Sequence, residues 1–188
     1  MGLSEAEAEA AAQAPRLIAA VGDTGEEGLR LACVAGITAA DAARRLAAVP
    51  ADPEVVEALI DDPWSDIDGG DLIVGATDVP GGCVLTQPWG YALTLPAVTK
   101  ALSAGTVCYS LFVNPKSGNQ GQVTRDGVVV DSDTHPGGGD AGGHLSAEEI
   151  LAVYLYQGQA VAYCCAGAGV RPEDARAIAG GPDVWLRL

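Results

Sequence analysis

The sequence predicts an α+β domain, a single antiparallel sheet of about five strands covered on one face by helices. Three observations lead there. Short apolar or alternating runs, such as Thr106 to Val113, recur along the chain and are punctuated by Gly, Pro and Asp-Gly turns. Between and after them lie segments with apolar residues at helical spacing, the longest from Ser146 to Ala166. Finally, 48% of the 188 residues are hydrophobic, which is ample for one core. Aromatics reach only 5%, so that core is built mainly from Ala, Val and Leu.

Ser4 to Ala20 reads as a helix, with Ser4 and Glu7 in capping-box spacing and Pro15 interrupting it. Its apolar stripe is thin before Leu17. Residues 1–22 are therefore expected to form a loosely attached helical arm, and residues 23–188 the single α+β domain. Leu29 to Gly36 is a buried strand. Thr38 caps a helix to Ala48, with Asp41 completing a second capping box and Leu46 facing inward. Asp52-Pro53 opens a short helix that carries Val55, Val56, Leu59 and Ile60, with proline at its favoured first position.

Leu72 to Asp78 and Gly82 to Gln87 are two strands around Val79-Pro80-Gly81-Gly82, a spacing that suits a hairpin. Pro96 starts a short helix with Val98, Ala101 and Leu102 on one face, and Gly105 ends it. Thr106 to Val113 is nonpolar on both faces and is expected to be central in the sheet. Gln120 to Thr124 and Val128 to Asp131 flank Asp126-Gly127, a strong hairpin signal. A glycine-rich loop, Thr134 to Gly143, leads to the helix from Ser146, the main covering helix, which ends near Gly167 and Gly169. A last short helix begins near Pro172, and Trp185 stands close to the end.

Several of these segments, taken in order, carry a likeness. They are CVAGITAADAARRL, GGCVLTQPWGYAL, ALSAGTVCYSLFVN, QVTRDGVVVDSD and GVRPEDARAI. The succession resembles a family of small uncharacterised domains abundant in high-GC Gram-positive bacteria. The likeness spans residues 29 to 180, and ALSAGTVCYSLFVN is its most specific piece. Gln87 stands before Pro88 where the family has an acidic residue, and the loop around His135 replaces an aromatic-rich hairpin end. The resemblance implies a fold and a bacterial setting, and no activity.

Ten basic against twenty-five acidic residues give a net charge of −15. Such a field repels phosphate backbones, so nucleic acid is not an expected partner, whereas a basic protein or peptide is electrostatically allowed. Every apolar stretch is interrupted by Gly, Pro or charge before membrane-spanning length, and the first residues lack the pattern of a signal peptide. No membrane partner and a cytoplasmic location are expected. The five cysteines, Cys33, Cys83, Cys108, Cys164 and Cys165, show no CxxC spacing and read as reduced thiols, with a redox role for Cys164-Cys165 left open.

Residues that carry chemistry are sparse. His135 and His144 bracket Asp140, but the glycine-rich chain between them offers no preorganised metal site. Counting a calcium loop from Asp66 puts Asp71 where glycine is needed and Thr77 where glutamate is needed, so that signature fails. No phosphate loop and no nucleophile elbow is present. The expectation is thus no metal and no cofactor. Trp64, Trp89 and Tyr91 each lie beside Pro or Gly near a turn. Exposed they would be interaction anchors, and turned inward they cap a small-residue core. With Asp66 and Asp68 they are the candidate binding residues.

Two functions stay open. One is a soluble binding or accessory protein, of immunity or regulatory type, that docks through an acidic surface. The other is a small metal-free enzyme or small-molecule-binding protein of specialised metabolism, with a pocket between sheet and helices. A deep pocket lined by tyrosine and carboxylates favours the second, and a flat acidic face the first.

Overall fold

The computed structural model describes residues 29–62, 72–114, 118–133, 160–173, 176–179 and 181–188. The expected arm over residues 1–22, the glycine-rich loop with His135 and His144, and the Ser146–Ala166 helix before Ala160 lie outside them. The elements in chain order are β1 (Leu29–Ala35), α1 (Ala39–Arg45), β2 (Val49–Pro50), α2 (Pro53–Asp61), β3 (Ile73–Val79) and β4 (Gly82–Thr86). A 3-10 turn (Ala92–Thr94), α3 (Pro96–Leu102), β5 (Val107–Asn114), β6 (Gly118–Arg125), β7 (Val128–Asp133), α4 (Ala160–Ala168), α5 (Arg176–Ala179) and β8 (Val184–Arg187) follow.

The α+β class and the antiparallel sheet are as the sequence predicts, but among the described residues the sheet has eight strands rather than about five, in the order β2-β8-β3-β4-β1-β5-β6-β7. The strands that escaped the sequence pattern include β2, with two residues, and β8, with four. Neither is long enough to show an alternation, and each exists through its partners. Val49 pairs with Arg187, and Gly75 of β3 pairs with Trp185.

Helices pack on both faces, which corrects the expectation of one covered face. Leu31 and Cys33 of β1 point to one side with Val84, Tyr109 and Leu111, where α4 and Ala177 and Ile178 of α5 cover them. Ala32 and Val34 point to the other with Leu85, Cys108, Val74 and Leu186, beneath Ala39 and Ala42 of α1, Leu93 and Leu102. A strand buried on both faces cannot alternate apolar with polar, which is why β1 and β5 read as near-continuous apolar runs.

Local chemistry sets the ends of these elements. The Thr38 side chain accepts from the Asp41 backbone N–H, and the Asp41 side chain accepts in turn from the Thr38 N–H. The helix stops at Arg45, short of Ala48, where Ala47 takes a positive φ of 51°. Between β6 and β7 both turn residues have positive φ, 50° at Asp126 and 77° at Gly127, the geometry whose twist matches a two-residue hairpin.

Candidate functional site

The site begins with α2. Asp52 accepts a hydrogen bond from the Glu54 N–H at 2.9 Å, and Pro53 occupies the first turn, where its missing N–H costs nothing. The helix buries Val56 and Leu59 against Ile73, with Trp89 and Trp185 packed at the margin of this small cluster. Beside that buried face runs a second stripe, Pro53, Val56, Glu57, Ile60 and Asp61, whose spacing places all five on one side of the helix.

Facing this stripe are Pro50 and Ala51 at the sheet edge and Asp183, Val184 and Trp185 at the start of β8. The Ala51 N–H donates to the Trp185 carbonyl oxygen at 2.9 Å, fixing the edge against the last strand. Together they form a cleft of about 510 Å³, mostly apolar, with three carboxylates at its rim among the described residues. One of these is already committed: Asp183 accepts from the Asp78 N–H at 2.8 Å and pairs with Arg176. Glu57 and Asp61 are exposed, and among the described residues neither is paired with a cation.

An apolar floor, an indole and two uncompensated carboxylates four residues apart suit an amphipathic cation. Carboxylates can meet such a charge, an indole can attract a cation, and the prolines and Val184 can take an aliphatic stem. Among the described residues no group of three or more His, Cys, Asp or Glu side chains is placed to hold a metal ion. All five cysteines are free thiols and buried, so none lines the cleft.

Of the candidates read from the sequence, the two that are described, Trp89 and Tyr91, lie outside the cleft. Trp64, Asp66 and Asp68 are outside the described residues. Trp89 is half-buried, with the Arg30 guanidinium 5.2 Å from its ring centre and 5.4 Å from that of Phe112, so it holds an end of the sheet together. Tyr91 is 58% exposed, and its carbonyl oxygen accepts from the Thr94 N–H and hydroxyl. Neither lines the cleft. Glu57, Asp61 and Trp185 were missed. The Glu57-Asp61 spacing within a helix was visible as a pattern, whereas nothing local to Trp185 announces what it will face.

Fold and cleft together define a three-layer domain, helices on either side of an antiparallel sheet, with an acidic apolar cleft at one sheet edge. Compared with protein-family models, curated proteins and solved structures, the chain finds no match. Among the described residues no helix is long and apolar enough to cross a membrane.

Proposed function

We propose that this protein is a binding or accessory module, of immunity or regulatory type, that engages a basic protein or peptide through its acidic surface. The observation that carries the reading is the cleft, where Glu57 and Asp61 stand over an apolar wall containing Trp185. A lysine or arginine side chain of the partner enters it, stem against Pro53, Val184 and Trp185, charge against the two carboxylates. The net charge of −15 supports the choice of partner, because a field of that sign raises the encounter rate with cations. A cytoplasmic setting and membership of the bacterial domain family described above belong to the same proposal.

The size of the cleft favours a second reading. A volume of about 510 Å³ lies within the range of small-molecule sites, so a free organic amine is the alternative occupant, bound or turned over by a metal-free enzyme.

Titration calorimetry with a lysine-rich peptide and with a free alkylamine separates the two. Peptide binding that weakens about tenfold in Glu57→Gln/Asp61→Asn, and weakens with added salt, is the expected result. Binding of the amine alone transfers the site to the second reading. Peptide binding unchanged in the double variant overturns the cleft as the docking site.

A further inference from the structure

The two edges of the sheet are built differently. At one, β2 has only two residues, and Pro50 has no N–H to offer a further strand. At the other, β7 runs for six residues, and no described strand pairs with its outer side. Its first three residues, Val128, Val129 and Val130, are 63%, 45% and 55% exposed. Neither Lys nor Pro interrupts them, although those residues are what commonly blunt an open edge. A bulge in β7 sets Val130 between the pairs Thr124–Val129 and Val123–Asp131, so Val130 has no partner on β6 and the edge bends there.

The two ends of the valine run carry opposite charge. Arg125 sits across from Val128 and is exposed, and the Lys100 stem lies along Gly127 in the turn that leads into β7. At the far end stands Asp131, also exposed. Val107 pairs with Arg125, Tyr109 pairs with Val123, and Val123 pairs with Asp131, so Arg125 and Asp131 share one face of the sheet.

We propose that a second copy of this chain pairs along this edge, β7 against β7 and antiparallel, joining two eight-stranded sheets into one. A two-fold axis near Val129 sets valine against valine. It also brings the Arg125 end of each copy to the Asp131 end of its partner. That self-complementarity selects a second copy over a basic peptide, which would meet Arg125 and Lys100 at one end of the run. The net charge of −15 opposes association only at long range. At 0.15 M salt it is screened beyond about 8 Å, while contacts within the new ladder are not.

Light scattering of the eluting full chain at 0.15 M salt, across a concentration series, tests the proposal. The expected result is a mass that rises to that of two chains, and a Val129→Lys variant that stays monomeric with an unchanged circular dichroism spectrum. Arg125→Asp and Asp131→Arg should each raise the dimer dissociation constant about tenfold, and the double exchange should restore it. Should Val129→Lys fail to fold, the exchange series decides by itself. A wild-type chain monomeric at every concentration, a dimer indifferent to Val129→Lys, or a double exchange no better than the singles overturns the proposal. Slow hydrogen exchange of β7 amides in a purely monomeric chain also overturns it, since something other than a second copy would then cover the edge.

Discussion

The Sγ atoms of Cys33 and Cys165 lie 3.6 Å apart in the interior, one on β1 and one on α4, 132 positions apart in sequence. Both are thiols, and the contact is part of the packing between the sheet and its covering helix. The hydrogen bond to Cys165, and then burial, hold the Cys33 thiol well above its ordinary range. Burial pushes Cys108 up to about 12, and burial with the nearby Asp78 carboxylate pushes Cys83 to about the same value.

Two outcomes are expected from these thiols. A water-soluble thiol reagent at pH 8 should leave the native chain essentially unmodified and titrate five thiols once the chain is unfolded. The raised values also set the direction of a pH effect. A thiol whose folded pKa exceeds its unfolded value stabilises fully below the unfolded value, and that contribution is lost as pH rises through the folded one. Thermal stability should therefore be flat with respect to these groups up to pH 9.0 and fall between there and about 12. The slope is on the order of 1.4 kcal/mol per pH unit for each such thiol. Melting curves with no alkaline loss across that window contradict the assignment.

Leu111 is fully buried in the cluster that α4 covers, with Val161 packed against the same cluster. Leu111→Ala removes transfer free energy and leaves a cavity, an expected loss of about 2–5 kcal/mol in denaturant unfolding. Val55, on the exposed side of α2, is the control, and Val55→Ala should cost less than about 0.5 kcal/mol. Equal effects at the two positions would mean that β5 is not in the core.

Gly81 and Gly105 both have positive φ, 90° and 69°, yet their surroundings differ. A Cβ at Gly81 would stand 2.3 Å from the Gly169 carbonyl oxygen, whereas one at Gly105 meets nothing within 4 Å. Gly105→Ala should cost only the backbone strain, about 1–2 kcal/mol. Gly81→Ala must also push the β3–β4 turn away from the end of α4, where the Arg171 N–H donates to the Pro80 carbonyl oxygen at 2.8 Å. It should be clearly the worse of the two in melting temperature.

Thr38→Ala removes the cap of α1 and should cost about 1 kcal/mol, or roughly 2–4 °C in melting temperature for a chain of this size. Hydrogen bonds from the Thr38 backbone and then its hydroxyl hold the Asp41 carboxyl below its ordinary 3.8. A depressed carboxyl stabilises above its unfolded value and loses that contribution as pH falls through the folded one. The gap between the wild type and Thr38→Ala should accordingly narrow as pH falls below 3.8 without closing, because the Thr38 hydroxyl still accepts from the Asp41 N–H when the carboxyl is protonated, and the variant keeps the Thr38 backbone N–H.

Much of this architecture was legible in the chain because its causes are local. Asp126-Gly127 specifies a turn by the φ values it tolerates, Thr38 and Asp41 close a helix end within four residues, and apolar stretches mark β1, β5 and the strands around Gly81-Gly82. Even the two-sided burial was hinted at by the nonpolar second face of Thr106 to Val113. What the tertiary structure alone decided is non-local. Val184–Arg187 is a strand because β3, more than a hundred residues earlier, offers it free backbone groups. That pairing turns Trp185 toward the stripe of α2 that carries Glu57 and Asp61. A residue's own neighbours in sequence determine its turn, its cap and its periodicity, but a cleft is made by residues that only the closed sheet brings together.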